Sequence, residues 1–326
     1  MNSVPNKTHK NILISELSDK TLCSFQNLFF QSFNHTMEKN VWQWKYQLSP
    51  AHSLGFWRGH NLQGHYGGFP RKIMFFGQEK KALQVGDTMT APGVRGVLTK
   101  NGVFKQLAHS FLQRYIGFDA PYLLGFGFPT TRVMKLAVKL GLYFDAGKFT
   151  RLALSVPQTT QASWLYKIRP VSISDSKAVD QLWHRMAKQT SDFIIGVRDW
   201  QHINYRYLTS PLHEYHVLKL NHRLTKQLIA VVVLRTQDNE CLIIDFVCSL
   251  KHTSLAIDSA LRFASLQKSQ TLSVLISSNL KSLFSSRKFS ETNPEISIPH
   301  CACTAGPDLK QIKNKWWLMA GDSDCM

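Results

Sequence analysis

Two stretches of this chain carry one pattern. Trp44-Lys45-Tyr46-Gln47-Leu48-Ser49-Pro50-Ala51-His52 and Tyr205-Arg206-Tyr207-Leu208-Thr209-Ser210-Pro211-Leu212-His213 each read aromatic, base, Tyr, two residues, Ser-Pro, one residue, His, at a constant offset of 161. Other landmarks keep nearly that spacing. Arg58-Gly59-His60-Asn61-Leu62 faces Leu220-Asn221-His222-Arg223-Leu224, and both read as the turn between two strands. Leu17-Ser18-Asp19 matches Ile173-Ser174-Asp175, each a helix N-cap signal after an extended run. Asp87 and Asp245 each follow a strand-like run. An offset that barely drifts across these landmarks means that one fold occurs twice. With 326 residues, each copy has enough chain to bury its own core. Ser155, Pro157 and Ser163 mark the linker, which divides the chain into residues 1–158 and 159–326.

Each copy reads in the same order. In the first, strands are expected at 11–16, 53–58, 63–76 and 81–89, with the hairpin turn at Gly59-His60-Asn61 and a helix at 19–33. A helix at 103–115, a strand at 122–126, a helix at 131–140 and a strand at 144–155 complete it. The second copy runs strand 167–171, helix 176–190, hairpin 214–220 with 226–235, strand 240–247, helix 255–267, strand 272–276, short helix 280–288 and final strand 316–320. The class is α/β: two tandem domains, each a mixed, mostly antiparallel sheet flanked by helices.

The segment with most chemistry is Asp87-Thr88-Met89-Thr90-Ala91-Pro92-Gly93-Val94-Arg95-Gly96, running on to Lys100-Asn101-Gly102-Val103-Phe104. A strand leads into a glycine-containing loop, and a helix starts behind it. This order aims backbone N–H groups and the positive end of a helix dipole at an anion, and glycine lets the backbone approach a phosphate closely. The net charge of +18 also draws anions, whether a polyphosphate cofactor, an acidic carrier protein, nucleic acid or a membrane face. The basic residues are dispersed, and neither paired zinc-ligand spacings nor aromatic RNA-binding signatures occur, so an anionic small molecule or a surface contact is expected rather than nucleic acid. No apolar run reaches membrane-spanning length. Six scattered cysteines make no disulfide framework, and a reducing, cytoplasmic setting is the simplest reading.

Strand, helix, hairpin, strand, phosphate loop, helix, strand, helix, strand resembles the GCN5-related N-acetyltransferase (GNAT) fold, in its tandem form. The motifs that carry the resemblance are the lead-in through Met89 and Pro92 to Arg95-Gly96, and Leu140-Gly141-Leu142-Tyr143 closing a helix. They cover residues 10–155, while 165–326 match by shape. Val97-Leu98-Thr99-Lys100-Asn101 stands where that family has a second glycine, so the loop here is longer. The resemblance implies a CoA-dependent N-acyltransferase that moves an acyl group from acetyl-CoA or another acyl-CoA to an amine, such as an amino sugar or cell-surface precursor. A non-catalytic binding protein on the duplicated fold, and a transferase using an aminoacyl-tRNA or an acidic acyl carrier protein, are the alternatives. Thr88, Met89, Thr90, Arg95, Gly96, Val97, Lys100, Asn101, Gly102, Val103 and Phe104 would hold the cofactor. The oxyanion of the transfer would sit near the Met89 N–H.

Candidate proton acceptors are His65 or Tyr66, on the glycine-rich Gly64-His65-Tyr66-Gly67-Gly68 strand, and Asp87. The glycines there mark a bulge or a close approach by another group. The family's frequent general-acid Tyr is replaced by Ala137. Arg198, Asp199, His202 and Asp245 are the candidate acceptor contacts. The second copy's Asp245–Ser254 has neither Gly nor Arg, so one cofactor site is expected, in the first copy. His300-Cys301-Ala302-Cys303 lacks a second ligand pair, so no metal is expected.

Overall fold

The computed structural model describes residues 12–46, 51–94, 102–160 and 163–323. The first sheet opens with β1 (Ile12–Glu16), followed by α1 (Leu22–Phe33) and α2 (Lys39–Tyr46). It continues through β2 (His52–Arg58), β3 (Asn61–Phe75) and β4 (Gln78–Thr90), then α3 (Val103–Tyr115), β5 (Leu124–Gly127) and α4 (Thr131–Lys139). The order across this sheet is β1-β2-β3-β4-β5, antiparallel except for the parallel pair β4–β5. The hairpin turns at Gly59, whose φ of 61° is cheap only without a Cβ. Val103, Leu107, Ala108, Phe111, Leu112 and Tyr115 recur at helical spacing and are the buried stripe of α3. That helix lies on β3 because Gly64 and Gly68 leave room for it. A Cβ there would stand 2.8 Å from Val103 Cγ1 and 2.6 Å from Phe111 Cζ. The close approach that the glycine-rich strand implied is therefore largely made by the protein's own helix.

The remaining elements are β6 (Tyr143–Ser155), β7 (Tyr166–Pro170), α5 (Ser176–Gln189), β8 (Ile194–Gly196), α6 (Trp200–Ile203), β9 (His216–His222), β10 (Leu228–Gln237) and β11 (Glu240–Cys248). After them come α7 (Thr253–Leu266), β12 (Thr271–Ser277), β13 (Ser290–Thr292), β14 (Ser297–Cys301), α8 (Leu309–Ile312) and β15 (Trp316–Trp317). The second sheet has the order β13-β6-β12-β11-β10-β9-β7 and repeats the first: two antiparallel hairpin strands, then a parallel pair, β11–β12. The helix cap equivalent to Ser18 is Ser172, not Ser174. Each of these serines closes a capping box, with Thr21 in one copy and Asp175 in the other.

The copies interlock rather than merely pack side by side. β6 lies before the expected 158/159 boundary yet pairs with β12 of the second sheet, Thr271 opposite Ser155. In return β8, with β15 alongside it, adds to the first sheet, Ile73 opposite Gly196. The repeated motif sits where the copies meet. The Trp44 and Tyr205 rings stack at 4.9 Å and 15°; Tyr205 Oη donates to Trp44 O at 2.7 Å, and Trp44 Nε1 donates to Tyr205 O at 3.3 Å. Equivalent residues that exchange equivalent bonds are the mark of an isologous contact, here made within one chain.

Candidate active site

β4 and β5 pair over four residues, from Ala82–Leu124 to Val85–Gly127, and then diverge. β5 stops because Phe128-Pro129 follows and Thr130 caps α4, its Oγ1 accepting from Val133 N. β4 runs on to Thr90 without a strand partner on that side among the described residues. Ala91 N donates to Gln63 O at 2.9 Å, and Met89 stands opposite His65. By strand alternation the backbone groups of Met89 face β3, while those of Thr88 and Thr90 face the gap. The N–H near which the sequence placed an oxyanion is thus taken up by the sheet, and its neighbours are the ones that point into the opening.

A cavity of about 650 Å³ fills this divergence. Its floor is Thr88, Met89 and Thr90. One wall is the first turn of α3 (Gly102, Val103, Phe104, Lys105), the other α4 (Arg132, Val133, Lys135, Leu136, Lys139, Leu140), and Ser32 and Phe33 of α1 close one end. Thr88 Oγ1 is buried with no hydrogen-bond partner in the protein. Lys105, Arg132, Lys135 and Lys139 surround the opening, and no carboxylate is among the described residues that line it. An apolar slot with one unsatisfied hydroxyl, a helix start and four cations suits a ligand with an amide or carbonyl arm and an anionic head. Of the expected cofactor residues, Thr88, Met89, Thr90, Gly102, Val103 and Phe104 meet here. Arg95, Gly96, Val97, Lys100 and Asn101 lie outside the described residues. The basic face of α4 went unread in the sequence, although Arg132, Lys135 and Lys139 recur at helical spacing.

The expected proton acceptors are elsewhere. His65 and Tyr66 are neighbours on a strand, so they face opposite sides of it. Tyr66 lies in the α3 core, its ring 4.8 Å from Phe111 and its hydroxyl bonded to that of Tyr143; burial raises its pKa far above the ordinary range, and it has no access to the cavity. His65 is fully buried on the α1 side against Phe25. Its Nδ1 donates to the Asp87 carbonyl at 2.7 Å, so its Nε2 accepts from Ser53 Oγ at 2.7 Å. Burial pushes its pKa down to about 4. Asp87 lies within β4 rather than at its end, and its carboxylate accepts from Lys45 Nζ at 3.0 Å and Tyr46 Oη at 2.8 Å. A Cβ on Gly67 would stand 2.7 Å from that Tyr46 hydroxyl. Neither His65 nor Asp87 lines the cavity.

The expected acceptor contacts lie in the second lobe. Arg198 and Asp245 are wholly buried and hold each other, Nε to Oδ1 at 2.8 Å, while Arg198 Nη2 donates to Asp322 at 2.8 Å. Asp199 caps α6 through His202 N. His202 is held neutral by burial and by Arg71, Arg198 and Arg206 around it. Tyr207 Oη donates to Asp245 at 2.8 Å, so the repeat reproduces the Tyr46–Asp87 bond in the second lobe.

There the equivalent gap is full. β11 and β12 pair from Glu240–Thr271 to Ile243–Val274 and then diverge. Residues 318–323 lie between them: Ser277 N donates to Leu318 O, Met319 bridges Ile276, and Gly321 sits against Ile244 O and Tyr207 Oη. Arg206 fixes this segment through Gly321 O and Ser323 O, and Arg198 through Asp322.

A sheet of this order, with a parallel pair splayed beside a helix start and the whole arrangement repeated, defines a tandem GNAT fold. Residues 14–133 match the acetyltransferase (GNAT) domain family. Solved structures of the same fold include a conserved protein of unknown function from Enterococcus faecalis V583, described as a probable N-acyltransferase (12% identity, 94% of this chain and 74% of that one, TM-score 0.69). The N-myristoyltransferase of Saccharomyces cerevisiae, solved with bound myristoyl-CoA, superposes with a TM-score of 0.57 at 10% identity over 96% of this chain and 90% of that one. A tandem GNAT protein from the clavulanic acid biosynthesis pathway gives 0.58 at 12% identity, over 91% of this chain and all of that one. No curated protein matches the sequence significantly.

Proposed function

We propose that the chain is an acyl-CoA-dependent N-acyltransferase with one donor site, in the first lobe, and a small-molecule amine as acceptor. The observation that carries this reading is the contrast between the two gaps: open, cationic and lined by the orphaned Thr88 hydroxyl in the first lobe, filled by residues 318–323 in the second. The residues present fit coenzyme A. Lys105, Arg132, Lys135 and Lys139 would meet its phosphates together with the first-turn N–H groups of α3. The gap-facing backbone of Thr88 and Thr90 would pair with its amide arm. When bound, the thioester supplies the activated acyl group. The chain's part is to extend that arm along β4, to shield it between α3 and α4, and to offer donors where the acyl oxygen lies. The known fold and the acyl-CoA-bound relative of the same fold support the donor class.

Calorimetric titration with CoA and acetyl-CoA tests it, followed by mass spectrometry of an amine panel incubated with acetyl-CoA. One CoA per chain and an acetylated amine are expected. A stoichiometry of two, or no binding at all, refutes the reading.

A further inference from the structure

Three described non-glycine residues of the first lobe have positive φ, Asn34, Phe76 and Asp87, and of these Asp87 alone lies inside a strand. Asp87 has φ of 48°, a left-handed conformation inside a strand, and costs about 1 kcal/mol or more in a residue with a side chain. It sits at a bulge. His65 pairs with Met89 and Gly67 with Gly86, so Asp87 and Thr88 together oppose Tyr66. Both ends of Asp87 are held: the carboxylate by Lys45 and Tyr46, the carbonyl by His65, which Ser53 backs in turn. These partners come from α2, β2 and β3, and all are at least partly buried. In the second lobe Asp245 keeps the tyrosine bond but has no positive φ, and residues 318–323 fill the gap beside its strand. The strain occurs in the lobe whose gap is open, one residue before the unsatisfied Thr88 hydroxyl.

We infer that Asp87, held by Lys45, Tyr46, His65 and Ser53, is a positioning residue: it locks the β4 bulge so that Thr88 presents its hydroxyl and backbone to the donor's carbonyl or amide groups. This rests on the donor site proposed above. It assigns Asp87 no proton transfer and gives the buried imidazole a structural task, since a carbonyl at Nδ1 and a serine at Nε2 leave it no free nitrogen. The bulge re-aims two residues at the cost of a left-handed aspartate, and the side-chain clamps offset that cost.

The test uses the full chain, CoA and acetyl-CoA as probes, and three variants. Asp87→Asn tolerates the left-handed conformation and accepts from Tyr46 but loses the Lys45 ion pair. Lys45→Met removes the same pair from the other side. Thr88→Val keeps shape and β-propensity and removes only the orphaned hydroxyl. Expected are a CoA Kd weakened about tenfold in Asp87→Asn and Lys45→Met, no further loss in the double variant, and a similar loss in Thr88→Val with an unchanged melting temperature. The acidic limb of the kcat–pH profile stays in place in Asp87→Asn. Wild-type CoA affinity in Asp87→Asn together with loss of that limb makes Asp87 a proton acceptor and overturns the inference alone. Additive losses in the double variant, or an unchanged Kd in Thr88→Val, also overturn it. Wild-type protein that binds no CoA overturns the donor site and this inference together.

Discussion

Replacing Arg198 with methionine tests whether this region is structural or meets the acceptor. The guanidinium and Asp245 have no exposed surface, and Asp322 is 4% exposed. Arg198 donates Nε to Asp245, Nη1 to Gly196 O and Nη2 to Asp322, so its loss leaves two buried carboxylates and a carbonyl with one cation fewer. Breaking a buried pair from one side costs about 3–5 kcal/mol, mostly because the other charge stays behind unpaired. With a urea m-value of about 3 kcal/mol/M, the unfolding midpoint falls by about 1–2 M. The loss has a definite pH sign. Burial already pushes the Asp245 carboxyl above its ordinary range, even against the pull of Arg198. Without the arginine it rises further, and a group whose folded pKa is raised adds stability below its unfolded pKa and loses it as pH rises. The penalty is therefore larger at pH 8 than at pH 5. Equilibrium urea unfolding of wild type, Arg198→Met and Arg198→Lys at both pH values measures it. The lysine variant restores charge without the fork and falls between. A methionine variant within 1 kcal/mol of wild type at pH 8, or a penalty that grows on acidification, refutes the reasoning.

His65 gives a second pH signature: its folded pKa of about 4 lies below the ordinary imidazole value of 6.5, so its contribution is complete above pH 6.5 and is lost as pH falls from there toward 4. His65→Gln flattens that part of the stability–pH curve, as urea midpoints measured across the window show. Reversing charge on α4 with Lys135→Glu and Lys139→Glu weakens CoA binding and lowers the salt dependence of its Kd, with little change in melting temperature because both side chains line the cavity mouth.

Local signals made some of this legible. The apolar stripe of α3 predicts 103–115, and the helix is Val103–Tyr115; the turn at Gly59 and the order of the first sheet follow from alternation and punctuation in the same way. The short helix α2 does not show, because its eight residues mix two lysines and two amides with three aromatics. The exchange of strands is also invisible. β6 alternates identically whichever sheet it joins, and only pairing with β12 decides. In the site, the gap-facing Thr88–Thr90 were readable from the order of elements, while the candidate bases were not. Once the 63–76 strand was recognised, alternation already forbade His65 and Tyr66 from sharing one face, but which face met the cavity depended on where α1 and α3 pack. The bulge at Asp87 depends on a one-residue shift of register, which leaves no mark on composition.

The duplication supplies a comparison inside one molecule. Both lobes keep a tyrosine that donates to an aspartate on the strand that diverges, and both keep the stacked aromatic that meets its twin. These features survive where residues 318–323 fill the gap, so they belong to the fold. The lobes differ in what surrounds the diverging strand. The second has Arg198 and Arg206 holding a backbone segment with Gly321 at its tightest point, and the first has a cationic helix face, an unsatisfied hydroxyl and a strained aspartate. Subtracting one lobe from the other leaves this second group. Its residues lie along the Asp87–Thr90 edge and on α4, which supports the donor site proposed there, while the interlocked second lobe holds the end of β3 in the first sheet through β8, with β15 alongside.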